Sequence, residues 1–462
     1  MTSRLLFVLL ALSVPSAASA SIIAIIDSGM DYKHKDLVSN IYLNPGEIAG
    51  NGVDDDKNGY VDDVYGWNFA ENNNQVIDYK YIGTFSQDPY KFFDIQTRSF
   101  EGTATDAEKA WVKEKIKDDN FIKELEKFGN FVHGTHVTGC SVRDHKNSKA
   151  FAVKLIATEP PGAAKSIMDK EPMYQIAGND DFRIIILNFL LTQLAGQQMK
   201  LLTTVGQYVA GMHADVANGS FGTGFAQAQT IVGTLFKTVV GREPTPDESK
   251  AAATSFMNAM IEAGKNFVGA SPGTLFVFAA GNDGADNDAV PTSPTNIKAD
   301  NELSVAATYK NQKIAFFSNY GAKMVDVAAP GVGIYSTIPG DDHIRMSGTS
   351  QATPYVTNVA GEVKSLNPKL IPSELKKIIM GTVDAKDWLK GKIVSEGTVN
   401  PDRAYFAARA SLTMSVEQAI ATSKTQVKDM PAETNEEMFF GRGTTPVDEK
   451  DIYVLPLPSM FQ

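Results

Sequence analysis

Residues 21–30 read SIIAIIDSGM: five apolar residues in six, then an aspartate, a serine and a glycine. The run is strand-like, and an acid directly after it is partly buried. A buried carboxylate is costly unless something pairs with it, so Asp27 calls for a partner from elsewhere in the chain. Outward from this stretch, short apolar runs at 22–26, 153–157, 183–187, 215–218, 274–280, 303–308 and 325–328 read as strands. They alternate with helical patterns at 134–141, 199–213, 246–264, 350–365 and 372–381. Thr245, Pro246 and Glu248 mark one helix start, supplying an N-cap, a first-turn proline and the glutamate of a capping box. Such alternation predicts an α/β fold with a mostly parallel central sheet and helices on both faces. Sites in these sheets form at the carboxyl ends of strands, and Asp27 stands at one.

Ahead of the strand, Arg4, the apolar run 5–14, Pro15 and the small residues SAASA have the pattern of a secretory signal, residues 1–20, cleaved after Ala20. Export, to the cell exterior or a periplasm, is therefore expected. Only a few residues separate that point from Asp27, so folding without a pro-domain is expected too. The chain carries 43 basic and 54 acidic residues, a net charge of −11. That balance argues against nucleic acid or an anionic membrane surface as a partner and for a soluble protein, read as a monomer. Cys140 is the sole cysteine, which leaves no internal disulfide, and an inert buried thiol is its expected state. The most apolar later stretch, 184–199, carries Asn188, Thr192, Gln193, Gln197 and Gln198 and is too polar to cross lipid.

A buried acid can hold an imidazole in one tautomer and orientation. Two of the six histidines lie in HGTHVTG, 133–139. The zinc spacing HExxH is absent there, and the small residues beside His133 let a helix start pack against a strand. His133 is the candidate base, and His136 is expected to pack or hydrogen-bond. A third stretch, MSGTSQATPYV at 346–356, places Ser350 at the opening of a helix that Pro354 can join within its first turn. A serine there is a cap or, given a base and backbone donors, a nucleophile. The lipase elbow GxSxG is excluded by Ala352.

With these residues in the order acid, base, nucleophile, the chain resembles the subtilisin-like serine proteases, the subtilases of peptidase family S8. The motifs are DSGMDYKHKDL (27–37), HGTHVTG (133–139), AAGN (279–282) and GTSQATP (348–354), supported by NGSFG (218–222), FSNYG (317–321) and VAAPG (327–331). The resemblance implies a subtilisin-like three-layer fold, with a catalytic domain at 21–410, insertions at about 44–130 and 160–214, and a tail at 411–462. It implies a serine endopeptidase acting on protein or peptide substrates through an acyl-enzyme. Ser350 attacks, His133 is general base and then acid, and Asp27 orients His133 and stabilises its cation. Asn282 and the Ser350 N–H receive the oxyanion. Ser220, Phe221 and Gly222 form an edge for a substrate's backbone, and Ala279, Ala280 and Gly281 a second substrate-binding segment. Gln351 and Tyr355 depart from the pattern, where relatives usually carry Met and His. The competing reading is an inactive subtilase-like module that binds peptides or a partner; a calcium-dependent adhesion module would not need the three catalytic groups together.

Between the acid and His133 lies NGVDDDKNGYVDD, 51–63. Asp54, Asp56 and Asn58 at alternate positions, Gly59 at a sharp turn, then Tyr60, Asp62 and Asp63 make an oxygen-rich loop suited to structural calcium. Tyr65 in place of the twelfth-position glutamate means it is not an EF-hand. Residues 105–128 read as one charged amphipathic helix decorating the surface, capped by Thr105 and Glu108. The tail, ending YVLPLPSMFQ, reads as an appendage packed on the domain or as a segment removed on maturation, and it is the remaining candidate for an internal inhibitor.

Overall fold

The opening apolar run forms strand β1 (Ser21–Asp27), and its alternate residues face opposite ways. Ile23 and Ile25 join Met30, Leu37, Val137 and Val142 in one buried cluster. Ala24 and Ile26 join Phe151 and Val153 in another. Each buried isoleucine contributes roughly 1.5–3 kcal/mol, so both faces of the strand need covering. The computed structural model describes residues 20–159, 180–430 and 452–460. Apart from Ala20, the expected signal lies outside the described residues, as does the start of the second expected insertion.

After β1 the chain forms β2 (Gly66–Asn68), then helices α1 (Asp88–Phe100), α2 (Asp106–Lys115) and α3 (Asp119–Val142), and β3 (Ser148–Lys154). It continues through α4 (Asp180–Gly211), β4 (Val216–Gly219), α5 (Phe225–Val240), α6 (Pro246–Gly269), β5 (Leu275–Ala279), β6 (Glu302–Tyr309), β7 (Lys313–Ile314) and β8 (Val327–Pro330). The hairpin β9 (Ile334–Ile338) and β10 (Asp342–Met346) leads into α7 (Thr349–Leu366). Helix α8 (Pro372–Gly381), β11 (Asp384–Ala385), β12 (Gly397–Thr398), α9 (Pro401–Ala410) and α10 (Val416–Gln426) follow.

Ten strands form one sheet in the order β11-β12-β8-β6-β5-β4-β1-β3-β2, with β7 on β6. Neighbours are parallel except for β11 on β12 and β7 on β6. Helices α4, α5 and α6 pack on one face through Leu191, Phe236 and Phe256. Helices α7, α8 and α9 pack on the other through Val356, Ile378 and Ala407. The expected architecture is therefore present, and the carboxyl ends of β1, β4 and β5 lie side by side.

Three expected elements are corrected. The run 183–187 lies inside α4, where Leu187, Leu191, Ala195, Met199 and Leu202 are buried at helical spacing. A short apolar run has no period of its own, so length decides between strand and buried helix. Strand β3 begins at Ser148 rather than 153, because its register pairs Ser21 with Ser148 and Asp27 with Lys154. The helix expected over 105–128 is two helices, and the second does not stop before the histidine. Helix α3 runs unbroken from Asp119 through His133 to Val142, with Leu125 and Phe128 fully buried. It is part of the core and not a surface decoration.

Candidate active site

Asp27 ends β1 with no exposed surface. Its Oδ1 accepts the Ser28 N–H at 2.7 Å and meets His133 Nδ1 at 2.7 Å. A carboxylate can only accept, so Nδ1 carries the proton and Nε2 is left with a free lone pair. The acid is thus paired with an imidazole and fixes its tautomer. Asp27 Oδ2 has no hydrogen-bond partner among the described residues. Beside the pair, the fully buried ammonium of Lys154 is neutralised by Glu71 at 3.2 Å and Asp78 at 3.0 Å.

The sequence HGTH is what lets α3 approach β1. A Cβ on Gly134 would lie 2.0 Å from the Gly29 carbonyl oxygen, so only glycine admits this contact. The Gly134 N–H donates to Ser28 Oγ at 3.1 Å, and the Asp31 N–H to Thr135 Oγ1 at 2.9 Å. His136 has a different role. It is fully buried, with Nε2 3.0 Å from the Ile334 carbonyl and 3.3 Å from that of Ile344, so its N–H pins the β9–β10 hairpin to α3. Burial, with His133 nearby, holds its pKa down at about 3, so it stays neutral.

That hairpin delivers the chain to Ser350, the second residue of α7. Pro354 is the sixth residue of α7, beyond the first turn where it was expected. Having no N–H, it leaves the Ser350 carbonyl without its helical donor. Ser220 Oγ takes that place, donating at 2.9 Å, and Ser350 Oγ in turn donates to the Ser220 carbonyl at 3.2 Å. Among the described residues no hydrogen bond joins Ser350 to His133, although both line one cleft with Asn282. Catalytic hydrogen bonds of this kind often tighten only around substrate.

Asn282 follows β5. Its Oδ1 accepts from both the N–H and the hydroxyl of Thr349, at 2.9 and 2.8 Å. Two donors settle which end of the amide is oxygen, and its Nδ2 donors face the cleft. There Nδ2 donates to the Leu455 carbonyl at 3.0 Å. Ala279 and Ala280 are buried, and Gly281, at φ +117, donates its N–H to Thr349 Oγ1 at 3.2 Å. Phe221 is buried in the core, and the Gly222 N–H donates to the Pro458 carbonyl at 3.0 Å. Cys140 is buried, and burial pushes its thiol pKa up, as expected of an inert thiol. Gln351 is buried, and its Nε2 has no hydrogen-bond partner among the described residues.

The loop 47–63 gathers a different carboxylate set from the one expected. Glu47, Asp54 and Asp56 present oxygens within 4.8 Å of one another. None of the three has an ion-pair partner among the described residues. Asp62 is turned to the N–H groups of Gly50, Asn51 and Gly52. Asp63 is buried, accepting from Tyr208, Asn44 and Asn58 at 2.7, 2.9 and 3.1 Å. The ring of Tyr60 packs on Trp67 and Tyr208, and Asn58 Nδ2 donates to Asp56 and Asp63. Glu47 was missed because it precedes the spaced acids that made the loop visible. Asn130 and Glu126 of α3, which also line the cleft, carry no motif at all; burial raises the Glu126 carboxyl.

A family model described as the subtilase family matches residues 18–400. The alkaline elastase YaB of Bacillus sp. (strain YaB) is 41% identical over 110 residues, covering 24% of this chain and 28% of that protein. Subtilisin-like protease 1 of Plasmodium vivax is 25% identical over 383 residues, covering 79% of this chain and 44% of that one. The chain thus spans less than half the length of either relative. The crystal structure of a lanthipeptide protease aligns over 83% of this chain and 86% of its own, at a TM-score of 0.46 and 16% identity.

Proposed function

Because this chain belongs to the subtilase family, we propose that it is an exported serine endopeptidase using Asp27, His133 and Ser350. The observation that carries the reading is the buried 2.7 Å contact of His133 Nδ1 with Asp27, in a cleft shared with Ser350 and Asn282. With Nδ1 protonated, His133 Nε2 is the base that takes the Ser350 proton as Oγ attacks a peptide carbonyl. The same nitrogen returns the proton to the leaving amine, and water then releases the acyl group. Asp27 stabilises the intermediate imidazolium. The Asn282 amide, aimed by Thr349, and the Ser350 N–H receive the oxyanion. Ser220–Gly222 and Ala279–Gly281 hold the substrate's backbone on either side.

The signal-like pattern at 1–20 supports export. Calcium is proposed as a structural ion of the loop 47–63, held by Glu47, Asp54 and Asp56. Three convergent carboxylates without a cationic partner form a donor set of the hard-oxygen kind that calcium takes. The deciding experiment is hydrolysis of casein by the wild-type chain, its block by a serine-directed fluorophosphonate, and its loss in Ser350→Ala. Hydrolysis that persists at wild-type rate in that variant would remove Ser350 from the mechanism.

A further inference from the structure

The cleft holds part of the chain itself. Residues 452–460 cross it, making polar contacts along their length. Gln96 donates to the Tyr453 carbonyl at 2.7 Å, Asn282 to that of Leu455 at 3.0 Å, and Gly222 N–H to that of Pro458 at 3.0 Å. The Thr223 and Ser459 hydroxyls meet at 3.2 Å. Ile452 and Val454 pack on the cluster under α7, Tyr453 and Leu455 on that between α1 and α3, and Met460 on that under α4. Leu457 is 3% exposed and Ser459 1%. The space left where His133, Ser350 and Leu455 meet is about 40 Å³, room for a water or two and not for a peptide.

We propose that residues 452–460 are an internal inhibitor that lies backwards in the cleft, excluding substrate without being cut. The inference rests on the catalytic reading above and takes the edge Ser220–Gly222 as the one that holds the acyl half of a substrate. In a productive chain, the residues along that edge precede the carbonyl that reaches Asn282. Here the residues on Gly222 and Thr223 follow it. The Leu455 carbonyl therefore meets the oxyanion donor with its acyl side and its leaving side exchanged. The sequence favours the same outcome. Pro456 and Pro458 have no N–H to complete a strand ladder with the edge. Their fixed φ pre-sets an extended LPLP segment, which lowers the entropy lost on docking. Leucines alternating with the prolines supply the apolar anchors.

The test uses the full chain with Leu455→Asp and Leu457→Asp together, and Leu457→Ser as a milder variant should the aspartates disturb folding. A cleft nine-tenths occupied slows any competing ligand about tenfold. Fluorophosphonate labelling of Ser350 and hydrolysis of casein should thus both accelerate at least about tenfold in the freed variant. A synthetic peptide YVLPLPSM should inhibit that variant competitively and be recovered intact by mass spectrometry. Equal labelling rates in wild type and both variants would overturn the proposal, as would rapid cleavage of the peptide at Leu455–Pro456. The catalytic premise is separated by binding of fluorescein-labelled peptide to the freed variant carrying Ser350→Ala. Saturable binding there, with no hydrolysis or labelling by any form, would uphold cleft occupancy and sink the catalytic reading.

Discussion

Asn282 is fastened at Oδ1 by Thr349, while its Nδ2, which meets the Leu455 carbonyl, is the proposed donor to charge that develops on a substrate oxygen. Asn282→Ala should lower kcat about a hundred- to a thousandfold with little change in KM, because the interaction exists mainly in the transition state. Thr349→Val keeps the amide but removes one of its two anchors, and should cost roughly tenfold, read by the same steady-state assay on a peptide substrate. His136 gives a pH prediction. Its folded pKa of about 3 lies below the ordinary 6.5, so the unfolded chain binds the extra proton first. The stability this neutral histidine supports is complete above about pH 6.5 and lost as pH falls towards 3, at up to about 1.4 kcal/mol per unit. Urea unfolding between pH 7 and 4 should show a shallower acid slope for His136→Gln than for wild type; parallel slopes would assign the acid lability elsewhere. At this scale the sequence was most legible. Asp27, Ser350 and Asn282 stand out because they fall at strand ends or a helix start, and His133 because of the small residues around it, although it lies inside α3. Glu47 and Asn130 were invisible because their roles arise from proximity across the fold.

Elements explain how those side chains are held. The Ser350 carbonyl, which loses its i+4 helical donor at Pro354, accepts from Ser220 Oγ. Ser220→Ala should therefore destabilise the protein by about 1–3 kcal/mol, the cost of an unpaired buried acceptor. A lower Tm accompanied by a lower kcat would show that the same bond positions the nucleophile, and an unchanged Tm would refute the account. Gly134→Ala should be more damaging, since its methyl would stand 2.0 Å from Gly29 oxygen and must push α3 from β1. Helices with capping boxes, such as α6, were readable from their ends inward. The run 183–187 was not, because its four apolar residues, Ile184 to Leu187, fit a strand or a helix equally. Nor was the continuity of α3, since nothing around residue 128 says whether a helix stops or goes on.

For the whole molecule, one cysteine allows no internal disulfide, and stability rests on the clusters that flank the sheet. If the loop 47–63 binds calcium, a hundredfold excess over Kd should add roughly 2.7 kcal/mol. Melting curves with calcium and with chelator should then differ, and Glu47→Gln with Asp54→Asn should merge them. The parallel architecture was predictable from alternation, but the strand order was not: it is set by pairings that no local pattern records. One of those pairings bears on how the protein is made. Strand β1 lies inside the sheet, between β3 and β4, and its parallel partner in β3 lies 127 residues further along the chain. At translation rates of about 5–20 residues per second, the partner trails by roughly 6–25 s. During synthesis the segment IIAII must therefore wait, unpaired on both edges, until distant residues emerge. The first strand of the chain, held between two neighbours in the finished sheet, is thus the longest exposed while the nascent chain is still being built.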